Sequence, residues 1–426
     1  MAQAGLRSQV AAGVCLRSAV MMRHSAAGGT IMAPCAGPLP FRIFFFLAAL
    51  DAVAGVAIWP CSALGLCSYM PAGNPISIWH RQELLFGMMP AVVAGFLLTA
   101  LPRWTGSRAV SRGTVRALAG LWLAGRVAHG VAPSIAGPLV AVFVALLALM
   151  LTHRVIAAGN RRDIKIAVLL ILFSAGAASA GNLPLEAEGE YGSRLGMAAV
   201  LGLLIILSGR IVPSLTAAYL GTSKKPSPMR SGDIVEISAA IAALIGLGAW
   251  VLAPVAQTAA VGCALAAVCQ TARLLRWRAW QAAARPAILV LHVGYGWIPV
   301  GFALLAARFL HPRIPVEVMA AHAWTAGSMG LISLGVMASM IRRHTGATFA
   351  SSAQMSAAYA FGFLAAVARL AADILDGARA QWLGLAAIAW IAAYILFLTD
   401  FRQGPLRRGL IAPLRCPMTD SGDDRS

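Results

Sequence analysis

The chain has 426 residues, of which 59% are hydrophobic and only 12% are charged, and its formal net charge is +19 at pH 7. This balance lies far from the composition of a soluble globular domain and predicts an integral membrane protein. A charge of this size would suggest nucleic-acid binding in a soluble chain, but here it is spread over short connections between apolar segments, which excludes that partner.

Apolar segments of roughly 17–24 residues recur along nearly the whole chain, and each is long enough to cross about 30 Å of hydrocarbon as a helix. We therefore predict an all-α, polytopic integral membrane protein with about twelve transmembrane helices within residues 41–400. The predicted helices start near Phe41, Arg81, Val115, Gly137, Ile164, Gly196, Asp233, Thr258, Pro286, Val318, Gln354 and Gln381. Residues 1–40 are a basic extension, either disordered or upstream of the true start, and residues 401–426 are a polar cytoplasmic tail.

The distribution of basic residues predicts the topology. With the N-terminus in the cytoplasm, most of the 34 Lys and Arg residues fall on the cytoplasmic side. Five arginines fall on the opposite side: Arg81, Arg194, Arg308, Arg313 and Arg379. This asymmetry follows the positive-inside rule and predicts an even number of helices with both termini cytoplasmic.

Two histidines are predicted to lie at the same depth near the external face. His80 and His322 both fall in the first turns of helices that run from outside to inside, the second and the tenth. Glu83 follows His80 by three residues, on one helical face, where its carboxylate is expected to orient the imidazole. Since imidazole is a ligand of iron and copper, His80 and His322 are the first candidate metal ligands.

A second polar layer is predicted near the cytoplasmic face. His292 lies two turns into the ninth helix, His344 ends the tenth, and Arg210 lies near the inner end of the sixth. His292 is the third candidate metal ligand, and the Arg210 guanidinium is suited to pair with a carboxylate.

The remaining ionisable groups have simpler interpretations. Asp51 in the first helix needs a cationic partner, Arg126 or Arg369, and a structural ion pair is favoured over proton transport. Four histidines are interpreted as water-bonded side chains at the membrane interface: His24, His129, His153 and His311. Cys61 and Cys67 share the first external loop, either as a disulfide or as two free thiols.

Several segments together resemble one family. They are WHRQE at 79–83, GFLLTALPRWTG at 95–106, SGRIVPSLT at 208–216, LHVGYGWIPVG at 291–301 and HAWTAGSMGLISLGVMASMIRRHTG at 322–346. In this order they resemble the NnrS family of bacterial membrane proteins. The resemblance implies a twelve-helix inner-membrane protein that binds haem and copper and acts in the response to nitric oxide and nitrosative stress.

The resemblance carries over to individual positions. The matching residues are His80, Glu83, Arg210, His292, Tyr295, Trp297, His322, His344, Thr345 and Gly346. The chain departs from the family at Gln82, Leu84 and Ser339, where a histidine, a methionine and an arginine are expected. An amide or an alkyl group cannot replace an imidazole or a thioether as a ligand, so one metal centre is expected to be altered or absent.

Two functions therefore follow from the sequence. The first is diatomic ligand chemistry at a haem or copper centre, with nitric oxide or a related small molecule as the partner. The alternative is a metal-free transporter, in which the same His, Glu and Arg side chains line a substrate or proton path. Turnover and oligomeric state stay open.

Overall fold

The computed structural model describes residues 33–35, 40–63, 75–182, 188–220, 233–309, 315–345, 351–403 and 414–416. The chain divides into two units, residues 38–410 and residues 1–37 with 411–426. In the smaller unit, strand β1 (Ala33–Cys35) pairs antiparallel with β2 (Leu414–Cys416). The rest of the N-terminal extension and of the C-terminal tail lie outside the described residues, as does Cys67, so both alternatives for Cys61 and Cys67, a disulfide or two free thiols, stay predictions.

The larger unit is a bundle of helices, twelve of them within its described residues. Their bounds are α1 Pro40–Ala63, α2 Ile76–Thr105, α3 Arg112–Val131, α4 Pro133–Ala157, α5 Ile164–Asn182, α6 Glu188–Leu220, α7 Ile234–Leu252, α8 Gln257–Arg276, α9 Pro286–Ala306, α10 from Val316 to Thr345, α11 Ala353–Ala371 and α12 Arg379–Gln403. This confirms the predicted all-α fold.

The lengths and compositions of these helices agree with a membrane protein. Among the described residues, ten helices are long and apolar enough to span a bilayer. The two others, α3 and α11, are also long enough but less apolar, and α3 carries three arginines. Most starts lie within a few residues of the predicted ones, whereas α6 begins at Glu188 rather than at Gly196.

Short connections force neighbouring helices to run antiparallel. Only Ala132 separates α3 from α4, and α4 begins at Pro133, whose missing N–H costs nothing in the first turn of a helix. We call the end of the bundle that carries this connection the outer end, because the charge asymmetry predicts that it faces away from the cytoplasm. The opposite end is the inner end.

Helices α2 and α10 lie at the centre of the bundle. The buried share of the most apolar 18-residue window is 89% in α2 and 72% in α10, whereas it is only 33% in the peripheral helix α8. Both central helices start at the outer end, and both contain a π-helical turn, Leu84–Met88 in α2 and Ala323–Met329 in α10. Such turns interrupt the regular ladder of backbone hydrogen bonds and are frequent at functional sites.

Candidate functional site

The outer end brings His80 of α2 and His322 of α10 together. The two imidazoles are close enough to interact electrostatically, and both lie near the guanidinium of Arg369 from α11. Both side chains are half-buried. Two residues more than 200 positions apart in sequence are thus neighbours, each just before a π-helical turn.

Each of these imidazoles is fixed by a backbone carbonyl. His80 Nδ1 lies 2.8 Å from the Gly55 carbonyl of α1, and His322 Nδ1 lies 2.8 Å from the Val318 carbonyl in its own helix. A carbonyl only accepts hydrogen bonds, so each Nδ1 carries the proton and each Nε2 keeps a lone pair. This is the tautomer in which histidine ligates a metal through Nε2.

Glu83 points at α3 instead of orienting His80. Its carboxylate forms an ion pair with Arg126, whose Nη1 lies 3.0 Å from Oε2. The same carboxylate oxygen forms a short hydrogen bond with His129 Nδ1. The two side chains diverge because His80 is turned towards α1. The predicted role of Glu83 as the partner of His80 is therefore replaced by a role in a cluster with α3.

The interfacial interpretation of His129 is wrong. Its side chain is buried, and Nε2 lies 2.8 Å from Oε1 of Gln82, whose amide nitrogen donates to the Ala180 carbonyl of α5 at 3.0 Å. The Trp79 ring stacks on the imidazole at 6.0 Å between centroids. The sequence signal that could have identified His129 as a buried residue is its position three residues after Arg126, on the same helical face.

Asp51 completes this cluster. A Cβ added to Gly87 would collide with both Asp51 Oδ2 and Arg126 Nη1, so the two charged groups lie side by side against this glycine. Of the two predicted partners of Asp51, the structure thus places Arg126 next to it. The other, Arg369, donates to Asp373 Oδ2 at 2.7 Å.

The π-helical turn of α2 supplies two of the contacts that hold α3 in place. The Phe86 carbonyl accepts from Arg126 Nη2 at 3.2 Å, and the Gly87 carbonyl accepts from Trp122 Nε1 at 2.9 Å. The Phe86 carbonyl is available for this contact because the residue that would donate to it in a regular α-helix is Pro90, which has no N–H. We call Asp51, Glu83, Arg126 and His129 the outer acid cluster.

At the inner end, His292 is buried and keeps one bare ring nitrogen. Its Nε2 lies 3.0 Å from Thr216 Oγ1, and that hydroxyl donates to the Val212 carbonyl at 2.8 Å. Because the hydroxyl proton is already used, Nε2 is the donor and Nδ1 keeps a lone pair. Nδ1 has no hydrogen-bond partner among the described residues.

The other two residues predicted for the inner end are His344 and Arg210, and they contact different parts of the bundle. His344 Nδ1 lies 2.9 Å from the Met340 carbonyl, and its ring lies 5.2 Å from the Phe41 ring of α1. Arg210 forms an ion pair with Asp163 at the start of α5. The Arg210 guanidinium therefore already has a carboxylate within the protein.

A buried network around Arg273 was not predicted. Arg273 Nε donates to Glu236 Oε2 at 2.8 Å, and Nη1 donates to the Tyr295 hydroxyl at 2.8 Å. The Tyr295 hydroxyl in turn donates to Gln270. The sequence signal for this network is that Gln270 and Arg273 are three residues apart on one face of an apolar helix, a pattern typical of a buried polar site.

An apolar cavity of about 40 Å³ lies between α2, α6, α9 and α10. Its walls include Phe96, Leu204, Leu291 and Ile332, and its polar lining is limited to the hydroxyls of two serines. A cavity of this composition favours small uncharged molecules over ions.

The donor groups of the described residues do not form a complete metal site. No group of three or more His, Cys, Asp or Glu side chains is gathered there as a metal site would require. The arrangement instead offers two imidazoles at the outer end and one at the inner end. A metal held by them needs its other ligands from elsewhere, as haem iron obtains them from its porphyrin.

Comparison with known proteins gives one match. No curated protein matches the chain. The family model described as NnrS protein matches residues 38–406, which is nearly the whole helical unit and most of the chain. The chain therefore belongs to the NnrS family, membrane proteins of the nitric oxide response.

Proposed function

We propose that this protein is a haem- and copper-containing protein of the bacterial inner membrane that acts in protection against nitric oxide and nitrosative stress. The observation that carries the proposal is the pair of His80 and His322. Both imidazoles donate Nδ1–H to a backbone carbonyl, each Nε2 has no hydrogen-bond partner among the described residues, and the two rings, on the two central helices, are close enough to interact electrostatically.

The residues of the outer end fit a haem. Either imidazole would suffice to hold a haem, because the porphyrin provides most of the ligands of the iron, and the position left over would be available to nitric oxide. The haem would supply an iron at which nitric oxide binds reversibly. The protein contributes the ligand orientation through Gly55 and Val318, and the positive charge of Arg369 beside the pair suits an anionic group such as a propionate.

Copper is proposed at the inner end, where His292 Nδ1 is buried and has no hydrogen-bond partner among the described residues. Arg210 and His344 are proposed to complete the cofactor surroundings there. Gln82 cannot act as the missing family histidine, since its amide is used by His129 and the Ala180 carbonyl. The loss of that donor supports a reduced metal complement.

The apolar cavity supports a diatomic substrate. Nitric oxide is small and uncharged, so it enters such a space without the desolvation cost that an ion would incur. The cavity contacts both central helices through residues such as Met89 and Ser333, one to three turns inward of the π-helical turns.

A metal-free transporter is the second candidate. The outer acid cluster favours it, because intramembrane carboxylates paired with a cation are typical of substrate and proton paths.

The experiment is an optical and metal analysis of the purified protein with the variants His80→Ala and His322→Ala. We expect a haem Soret band in the wild type that shifts on addition of nitric oxide and is lost or strongly altered in both variants. The control is His153→Ala, since His153 is exposed near the inner end of α4. A colourless, metal-free, folded wild type would overturn the proposal and leave the transporter.

A further inference from the structure

We infer that the inner end carries a binding site for the phosphate group of an anionic phospholipid, formed by Arg42 of α1, Arg103 of α2 and Arg343 of α10. We call these three residues the inner basic cluster. The inference depends neither on a metal nor on the proposed function. It follows from the position of the three guanidinium groups, from their lack of carboxylate partners in the described part of the chain, and from the apolar surface beside them.

Contacts of Phe41 hold three helix ends together at this place. Its N–H donates to Thr99 Oγ1 of α2 at 3.2 Å, and its ring lies 5.2 Å from the His344 ring of α10. Arg42 follows Phe41, Arg343 precedes His344, and the third member of the cluster lies one turn after Thr99. All three guanidinium groups are accordingly close enough to the His344 imidazole to interact with it electrostatically.

The inner basic cluster forms no ion pair with a carboxylate among the described residues. The carboxylates of the inner end are paired with other arginines, namely Asp163 with Arg210, Asp233 with Arg276, Glu236 with Arg273 and Asp400 with Arg342. Arg42 Nη2 is buried and has no hydrogen-bond partner in the described part of the chain. A buried donor of a charged group is costly to leave without an acceptor, so this nitrogen requires an anion.

The position of Arg42 within its helix adds to this requirement. Helix α1 begins at Pro40, so Arg42 lies in the first turn, where the helix dipole is positive and backbone N–H groups have no partner within the helix. A cation is unfavourable there, whereas phosphate groups bind readily at helix N-termini. Arg103 and Arg343 lie in the last turns of their helices and are exposed, so both can reach an anion held at Arg42.

The surface beside the cluster favours a lipid over a free phosphate ion. Arg42, Phe46 and Leu50 follow one another at intervals of four residues and therefore lie on one face of α1. Phe46 is 36% exposed and Leu50 43%, so this face is apolar and not covered by the described residues. A phospholipid bound here would place its phosphate on the cluster and an acyl chain along α1. The predicted cytoplasmic side is also where anionic headgroups attract basic side chains.

The test is native mass spectrometry of the delipidated full-length protein, titrated in detergent with phosphatidylglycerol or phosphatidylcholine. Both lipids contain a phosphate, but only the first has a net negative charge. We expect phosphatidylglycerol to bind more tightly to the wild type. Arg42→Gln should weaken its binding about fivefold, the usual effect of one basic side chain near an anionic headgroup. The double variant Arg103→Gln, Arg343→Gln should weaken it about 25-fold, and because both residues are exposed it should fold normally.

The matched control is Arg278→Gln. Arg278 is also an exposed arginine of the inner end, but it lies in the connection between α8 and α9, and its substitution should leave the affinity unchanged. Equal affinities of the wild type and the cluster variants for phosphatidylglycerol would overturn the inference. Complete displacement of the lipid by inorganic phosphate would also overturn it, because the site would then be one for a soluble anion.

Discussion

The carboxylate of Asp233, at the start of α7, accepts hydrogen bonds from two different helices. It caps the helix by accepting from the Val235 N–H at 3.0 Å, and Arg276 of α8 donates to both of its oxygens at 2.6 Å. The hydrogen bonds from Arg276 are the main reason that the pKa of Asp233 falls to about 2, below its usual value of 3.8. The ionised form is therefore favoured in the folded state.

This shift predicts a pH-dependent effect of Asp233→Asn, a variant that keeps a capping side chain. Because the folded-state pKa is lowered, the stabilisation is complete above about pH 4 and is lost as the pH falls towards 2. We expect the variant to be less stable than the wild type at pH 7 and equal to it near pH 2, as measured by thermal unfolding in detergent. A difference that is independent of pH would contradict this.

The positions of single residues along the membrane normal could be predicted, but their partners could not. A helix rises about 1.5 Å per residue, so the predicted helix starts were sufficient to place His80 and His322 at one depth. The partner of a side chain depends on which helix lies beside it. Nothing local to Glu83 shows that α3 is its neighbour, and so the cluster with Arg126 and His129 appeared only in the structure.

Between α5 and α6 the backbones touch. A Cβ added to Gly176 would lie 2.6 Å from the Gly196 nitrogen and 2.8 Å from the Gly192 carbonyl oxygen. Helices approach this closely in membranes only through small residues. These three glycines therefore fix the distance between α5 and α6.

Gly176→Val should separate the two helices, because the obstructing atoms belong to backbone and cannot move aside. We expect a loss of about 1–3 kcal/mol or more in unfolding free energy, the usual cost of overpacking. The matched control is Gly248→Val in α7, where an added Cβ meets nothing within 4 Å. Equal stability of the two variants in denaturant titrations would refute the proposed contact.

The presence of each helix was easier to predict than its packing partners or its π-helical turns. Apolar length revealed every helix of the bundle, but not which helices pack against one another. Gly246 lies against the Gly262 backbone of α8, so this part of α7 packs inside the chain. The π-helical turns could not be predicted, since Leu84–Met88 itself contains no polar side chain that would mark a change of period.

For the molecule as a whole, the asymmetry of basic residues predicts the orientation in the membrane. In a cysteine-free background, Val255→Cys lies in the exposed α7–α8 connection and Ala109→Cys in the exposed α2–α3 connection. We expect an impermeant maleimide to label the first in intact cells and the second only after permeabilisation. The reverse pattern would invert the topology and place the His80 and His322 pair on the cytoplasmic side.

At this scale composition was the strongest predictor. A hydrophobic content of 59% sufficed for the fold class, and five sequence segments in order sufficed for the family. The arrangement of the helices needed the structure, because several helices with similar apolar surfaces can pack in many orders.

The π-helical turns give the two central helices an unusual sensitivity to deletion. Each wide turn behaves as one residue inserted into an α-helix, so losing a single residue from Leu84–Met88 would let α2 close into a regular helix. The outer segment would then rotate by about 100° relative to the inner one. His80 would leave the Gly55 carbonyl, and Arg126 and Trp122 would lose their alignment with the Phe86 and Gly87 carbonyls, so one lost codon would dismantle the histidine pair and the outer acid cluster together.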